Sequence, residues 1–407
     1  MIKVYSLLDQ ILTLEGAFKK DGRRLVPADL SLVSNASVVV DAESILWVGA
    51  DADLPEEYKK FTRINLKGHV LTPEIVDSHT HVVFGGDRAE EYAQRLNGVS
   101  YEEIAKAGGG ILKTMKETNS ATLEKLFDGA CERIERINSY GIGTIEIKSG
   151  YGLNFEREYE ISVLIDRLKK RFYPRIQIFN TYLAAHDVPK NFTSSKQYLS
   201  EVVIPLLDKL APLKVIDAVD IFHEKNYFSQ EDVTHIFTHA QKLGIQRKIH
   251  ADELNDNGGA SLAVRFGALS ADHLLKISAE GVYALAGSQT VATLLPGTAF
   301  FLGKPLAPAR LLLDGGAKVA LGSDYNPGSC HCDNLLLIAC VSAAQLKLNQ
   351  AELWAAVTMN AAHALGFNQQ GAILPGMRAR FSLFKTSSLS HVTYNWGRNF
   401  SVPFPTS

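Results

Sequence analysis

Short apolar runs alternate with longer amphipathic stretches through the middle of this chain. The runs fall at 70–76, 144–147, 176–183, 218–222, 248–250, 269–272, 290–295 and 319–321. Brief runs of this kind, bounded by turn residues, predict strands buried on both faces. The stretches between them predict helices. Residues 121–140 give the clearest example. Leu123, Leu126, Phe127, Ala130, Ile134 and Ile137 share one face, while Glu124, Lys125, Glu132 and Arg136 lie mostly off it. Ser120 is a candidate N-cap and Gly141 a candidate stop. Eight such β-then-α units predict a closed (β/α)8 barrel in the α/β class. The alternative, an open doubly wound sheet, would call for a Gly-rich dinucleotide turn after the first strand, and none is present. Gly108-Gly109-Gly110 stands far from any expected strand end and is expected to be a loop turn.

The two ends follow a different grammar. Residues 1–66 carry short strand-like pieces at 38–40, 44–48 and 62–64 separated by turns, and strand character returns after 368 around 381–384. The expectation is a small β-sandwich domain made from 1–67 and 366–407, with a barrel from 68 to 365 inserted between its halves.

Composition narrows the function classes. The chain has 407 residues and a formal net charge of −2. No long basic block occurs, so nothing here resembles a footprint for nucleic acid. No run approaches the ~18 apolar residues of a membrane helix. The first residues also lack a basic stretch followed by a sustained apolar one. A cytoplasmic location without membrane partners is the expectation. Four cysteines are too few for a disulfide scaffold at this length. Cys330-His331-Cys332 lacks the spacing of structural zinc sites and is expected to be three loop residues before a helix.

The chemistry lies at the ends of the expected strands, where barrel catalytic groups converge. His79-Thr80-His81 follows the first, His250 ends the fifth, His273 follows the sixth and Asp324 follows the eighth. Alternation turns His79 and His81 to the same side. Three imidazoles and one carboxylate, from His79, His81, His250 and Asp324, suit zinc, iron(II), iron(III) or manganese, with an open position for water. Zinc would bring that water to a pKa of about 7. His273 is expected to act as a base or proton shuttle, the plainer alternative being a satisfied core histidine. Glu253, just past His250, can face a substrate and exchange protons with it, or can be a solvated loop carboxylate. Lys148 ends the second strand. A bridging lysine in two-metal barrels normally sits on the fourth, so Lys148 is expected to support the site and a single metal is favoured.

Particular stretches carry a closer likeness. They are 76–81 with Phe84-Gly85-Gly86-Asp87-Arg88, 106–111, Glu146-Ile147-Lys148-Ser149-Gly150-Tyr151-Gly152-Leu153, Ala184-Ala185-His186, 248–253, 270–274, 295–301 and 322–328. In these the chain resembles the imidazolonepropionase family of the amidohydrolase superfamily, over residues 72–365. The resemblance implies hydrolysis of 4-imidazolone-5-propanoate to N-formimidoyl-L-glutamate in L-histidine degradation by a metal-bound hydroxide, with one zinc or iron ion per subunit and a homodimer. It makes His79, His81, His250 and Asp324 the metal ligands and gives Glu253, His273 and Asp324 the proton transfers. It assigns Arg88 to the substrate carboxylate and Tyr151 and His186 to the pocket walls. Glu253 would meet the ring, and Asn326, Gly328 and Ser329 would hold substrate near the metal.

The chain departs from that pattern at Glu74, where glycine is common, at Asp187, at His223, at the 330–333 loop and at Arg380, where a carboxylate is common. None of these removes a proposed ligand. Two other readings stay open: an aminohydrolase of a related heterocycle, which would not need Arg88, and a non-catalytic barrel, which would be expected to have lost ligands.

Overall fold

A computed structural model describes residues 2–405. Its centre is a parallel eight-stranded sheet whose strands neighbour one another in chain order. They are Ile75–Asp77, Ile142–Lys148, Gln177–Ala185, Ala218–His223, Gln246–Ala251, Ser270–His273, Val291–Leu294 and Val319–Leu321, here the first to eighth barrel strands. Every residue of the second is buried, as are all but one of the third. Inner faces meet across the barrel and outer faces meet helices, so the strands read as continuous apolar runs.

The ring closes without a regular ladder between its first and last strands. Closure runs through residues just beyond them, where the Asp324 amide donates to the His79 carbonyl and the His81 amide to the Tyr325 carbonyl, both at 2.9 Å. Thr80 and Tyr325 form a parallel bridge at this seam.

The terminal segments meet in a second, seven-stranded sheet. Lys3–Leu12 pairs with Leu32–Val40 on one side; on the other, either side of a register shift, it pairs with Arg63–Asn65 and then with Val70–Pro73. Phe381–Phe384 runs antiparallel to Val70–Pro73, and Ser401–Val402 closes that edge. The expected strand at 70–76 is therefore two strands. Val70–Pro73 belongs to the small sheet, and only Ile75–Asp77 enters the barrel. Both pieces are fully buried, and so is the single charged residue between them, so no exposed break marks the crossing.

The crossing residue is Glu74. Its carboxylate accepts from Arg380 Nε at 2.7 Å and Nη2 at 2.8 Å, and from Thr144 Oγ1 at 2.6 Å. A Cβ at Gly143 would lie 2.0 Å from Glu74 Oε1, so glycine there makes room for the carboxylate. Glu74 and Arg380, 306 residues apart, thus form one ion pair, the acid buried and the arginine partly so, joining the barrel to the small sheet.

The expected helix spans Leu123–Ser139. Its cap is Thr122, whose hydroxyl accepts from the Lys125 amide at 3.2 Å, while Ser120 ends the preceding helix. Among the described residues no helix is long and apolar enough to cross a membrane.

Candidate active site

The seam that closes the barrel also presents His79, His81 and Asp324. Between the two histidines Thr80 turns away, its hydroxyl donating to the Glu146 carbonyl and its own carbonyl accepting the Lys148 amide at 2.9 Å. His250 lies in the fifth strand and His273 ends the sixth. Backbone strain collects here: His273 has φ 79°, Leu274 φ 60°, Asp252 φ 51° and Asp324 φ 50°. Non-glycine residues hold such angles only where their surroundings over-determine them.

The imidazoles converge. His79 Nε2 and His81 Nε2 each lie 3.5 Å from Asp324 Oδ1. Ring centroids are 4.7 Å apart for His79 and His250, and 5.1 Å for His250 and His273. Candidate ligand atoms within 4.8 Å of one another form overlapping groups: His79, His81 and Asp324; His79, His250 and His273; His81, His186 and His250. All four expected ligands are buried, and His79 Nε2 has no hydrogen-bond partner. A buried, unpartnered lone pair facing a carboxylate and further imidazoles is what a metal site requires, so this donor set fits a metal ion.

Electrostatics agree with that fit. Burial, then neighbouring Lys148, holds His79 well below the usual imidazole range; burial and then His186 do the same for His81. Both rings are therefore neutral, the form that ligates metals. Burial pulls His250 down, but Asp220 outweighs it and the net shift is upward. Burial lifts Asp324 to about 6 against hydrogen bonds from Thr298 (2.5 Å) and Asn326 (3.1 Å). Burial and then the Asp324 charge push Glu253 up to about 8. His273 is held well below its usual value by burial and His250, and its Nδ1 lies 3.6 Å from Glu253 Oε1. That separation exceeds a hydrogen bond, so the two are neighbours rather than a bonded pair.

Of the layer beneath, sequence reasoning found only Lys148. Asp272 Oδ2 lies 2.7 Å from His79 Nδ1, and Asp220 Oδ2 lies 3.1 Å from His250 Nδ1. Glu146, Lys148 and Lys248 complete a set of charges with no solvent exposure. The available signal was charge at alternating positions in otherwise apolar runs, as at 146 and 148 or 248 and 250. Lys148 contacts the carboxylates of Glu146, Asp220 and Asp272. Glu224 was missed too. It accepts from the Leu254 amide at 2.7 Å and Asn257 Nδ2 at 2.6 Å, which fixes the loop carrying Glu253.

Arg88 is nearly buried, and its Nε donates to Glu91 Oε2 at 2.8 Å. Glu91 also accepts the Gly110 amide at 3.3 Å, so the glycine-rich segment closes on the acid that holds Arg88. A Cβ at position 328 would come within 1.9 Å of Arg88 Nη1, so glycine there lets the guanidinium pass. A cavity of about 380 Å³ opens beside it, lined by Arg88, Tyr92, Phe301, Pro327 and His331. Tyr151 lies 5.7 Å from the His81 ring and 5.5 Å from the His186 ring. His186 Nδ1 faces the Gly150 carbonyl at 3.0 Å and so carries the proton, and burial holds this ring down to about 4. Asn326 Oδ1 accepts the Gly328 and Ser329 amides at 2.8 Å, and Nδ2 donates to Asp324 and to Ser329 Oγ. Its amide is committed to shaping the turn and placing Asp324.

The other positions singled out in the sequence sit outside the candidate ligand groups. Asp187 Oδ1 accepts the Val188 amide at 2.7 Å. His223 stands between the Phe228 and Asn257 carbonyls. The 330–334 segment is loop ahead of Leu335–Ala343, and Cys330 is a buried free thiol.

Residues 70–402 match the amidohydrolase family model. The chain is 41% identical to the imidazolonepropionase of Paracoccus denitrificans over 370 residues, which is 90% of this chain and 92% of that one. It is 39% identical to the imidazolonepropionase of Bdellovibrio bacteriovorus over 376 residues, covering 91% and 88%. In fold it is similar to the atrazine chlorohydrolase of Arthrobacter aurescens complexed with zinc, with TM-score 0.66 and 15% identity over 95% of this chain and 88% of that one. It is likewise similar to a guanine deaminase from C. acetobutylicum, with TM-score 0.68 and 15% identity over 94% and 91%. At these identities the two solved structures speak for the fold alone.

Proposed function

The chain belongs to the amidohydrolase family and, within it, to the imidazolonepropionases; from that premise we propose that it hydrolyses the ring amide of 4-imidazolone-5-propanoate to N-formimidoyl-L-glutamate in L-histidine degradation. The observation that carries this reading is the meeting of neutral, buried His79 and His81 with His250 and Asp324 in a barrel mouth that also holds a nearly buried arginine. His79, His81, His250 and Asp324 would hold one zinc or iron ion per subunit. When bound, such an ion supplies Lewis acidity toward the ring carbonyl and acidifies water.

The chain's own groups do the rest. Arg88 grips the propanoate carboxylate by charge-assisted hydrogen bonds. Tyr151 and His186 wall the ring, and the 326–329 turn keeps the reacting end against Asp324. Water adds to the ring carbonyl carbon as Asp324 and His273 take its proton. The carbon–nitrogen bond of the ring then breaks. Glu253, pushed up to about 8 and so protonated at neutral pH, gives its proton to the departing nitrogen. The carbonyl carbon becomes the new carboxylate and the nitrogen stays on the formimidoyl group. Family analogy supports a homodimer.

The test is direct. Protein stripped by a chelator and reloaded with Zn2+ or Fe2+ should bleach the imidazolone ultraviolet band as N-formimidoyl-L-glutamate accumulates. Reloaded protein that leaves the band unchanged would overturn the assignment. Ammonia release from a neutral heterocycle would favour an aminohydrolase, a reading that leaves Arg88 without a task. Glu91→Ala supplies a second check. It removes the acceptor at Arg88 Nε, a charged hydrogen bond worth about 1.5–3 kcal/mol. KM should rise roughly tenfold or more, since each 1.4 kcal/mol is tenfold, with kcat little changed. Unaltered steady-state KM would separate Glu91 from substrate binding.

A further inference from the structure

The charged layer under the imidazoles carries an inference that rests on reading His79 and His250 as metal ligands. We propose that Lys148 is a positioning residue: from the floor of the barrel its ammonium holds the carboxylates of Asp220 and Asp272, and through them the ring orientation of His250 and His79.

Barrel interiors are usually filled by bulky branched side chains. This one places Lys148 Nζ 2.7 Å from Asp220 Oδ2, 2.9 Å from Glu146 Oε2 and 3.6 Å from Asp272 Oδ2. The same two aspartate oxygens meet the imidazoles: Asp220 Oδ2 lies 3.1 Å from His250 Nδ1, and Asp272 Oδ2 lies 2.7 Å from His79 Nδ1. One ammonium therefore reaches two rings, each through a single carboxylate oxygen.

Strand geometry explains how the sequence builds this. Glu146 and Lys148 alternate on the second strand, and Lys248 and His250 on the fifth, so both pairs point inward with one member above the other. Lys248 has a different assignment. It donates to the Ser78 carbonyl at 2.8 Å, lies 3.1 Å from Glu146, and is 3.7 Å from Asp272. It supports the turn into His79, whereas Lys148 sits among all three carboxylates.

The physical consequence concerns which ring nitrogen faces the ion. A carboxylate accepting from Nδ1–H fixes the proton there and leaves the Nε2 lone pair for a metal, a partner worth 10–100-fold in affinity. His79 Nε2 is indeed the unpartnered nitrogen facing Asp324, while on His250 the Nδ1 approach to Asp220 at 3.1 Å is an ion-pair contact short of a formed hydrogen bond. Three buried carboxylates without the central ammonium would repel one another and turn from the rings. Lys148 keeps their oxygens aimed.

The test uses the full-length protein, with Zn2+ as the probe. Lys148→Met removes the charge at similar length. Competition against a chromophoric chelator should show Zn2+ affinity 10–100-fold weaker than in the parent. Imidazole 15N spectra of the metal-free parent should show His79 and His250 as Nδ1–H tautomers, and those signals should lose that form in the variant. Lys148→Met/Glu146→Gln restores the layer's net charge without restoring the contact to Asp220, and should stay weak. Parental affinity and tautomers in Lys148→Met would overturn the proposal. Recovery in the double variant would do so too, because charge balance alone would then explain Lys148. Should Lys148→Met fail to fold, Asp220→Asn tests the His250 arm, with weaker Zn2+ binding and an altered His250 tautomer expected and unchanged values overturning the idea. A parent protein that takes up no Zn2+ would defeat the ligand reading itself, and this proposal with it.

Discussion

His273→Asn is expected to lower kcat by about 10²–10⁴-fold, the usual worth of a positioned acid–base group, while metal content per subunit stays at the parental level. His273 ends the sixth strand beside His250, with centroids 5.1 Å apart, and also groups with His79 and His250 as a candidate ligand set. Two roles are thus geometrically open to it, and the experiment separates them. A proton shuttle leaves elemental analysis untouched and collapses turnover. A ligand loses metal and activity together, which would remove His273 from the proton path. Asparagine is the informative replacement because position 273 holds φ 79°, a region asparagine tolerates better than other non-glycine residues. Burial and His250 keep the ring neutral at physiological pH, so it is ready to accept a proton.

The second large effect falls on stability. Glu74→Ala should cost about 3–5 kcal/mol in chemical denaturation, the range for removing one partner of a buried ion pair. Arg380, 13% exposed, would lose the carboxylate that takes both Nε and Nη2 and keep only backbone carbonyls such as those of Pro174 and Gly143. Folded protein should retain parental kcat, because the pair lies at the junction of the two sheets and away from the ligands. Glu74→Ala/Arg380→Met should recover much of the loss, since the cycle then removes the pair as a unit. Equal damage in single and double variants would show that Glu74 acts instead through its other donors, Thr144 Oγ1 at 2.6 Å and Gln370 Nε2 at 3.1 Å.

These experiments bear on different depths of the sequence. The barrel was legible because strands buried on both faces read as bare apolar runs, and the last of them, Val319–Leu321, lies where expected. The first failed for the same reason. Val70–Pro73 and Ile75–Asp77 are equally buried, and hydropathy carries no mark of which sheet a residue joins. The meeting of His79 and His81 was legible because the spacing of a His-x-His pair is local. Arg88, Tyr151 and His186 were accessible through resemblance alone, since no local pattern ties them to the ligands. Beyond Lys148 and a faint alternation of charge, the lysine–carboxylate layer was hard to read for a deeper reason. Charged residues are normally exposed, and partners on strands far apart in sequence, such as Asp220 for Lys148 and His79 for Asp272, help make them acceptable inside a barrel. Glu74 and Arg380 repeat the lesson across 306 positions.

The seam between the first and eighth strands gives the site a mechanical meaning. His79 and His81 lie on one side of that joint and Asp324 on the other, and two amide hydrogen bonds cross between them. An ion gripped by all three would act as a clasp on a ring that its backbone fastens only lightly. Occupancy and hoop strength then become one quantity, because whatever free energy the ion gains on binding is withheld from any state in which the ring springs open. The scarcest fastening in the barrel thus falls where the chemistry needs the most rigid geometry.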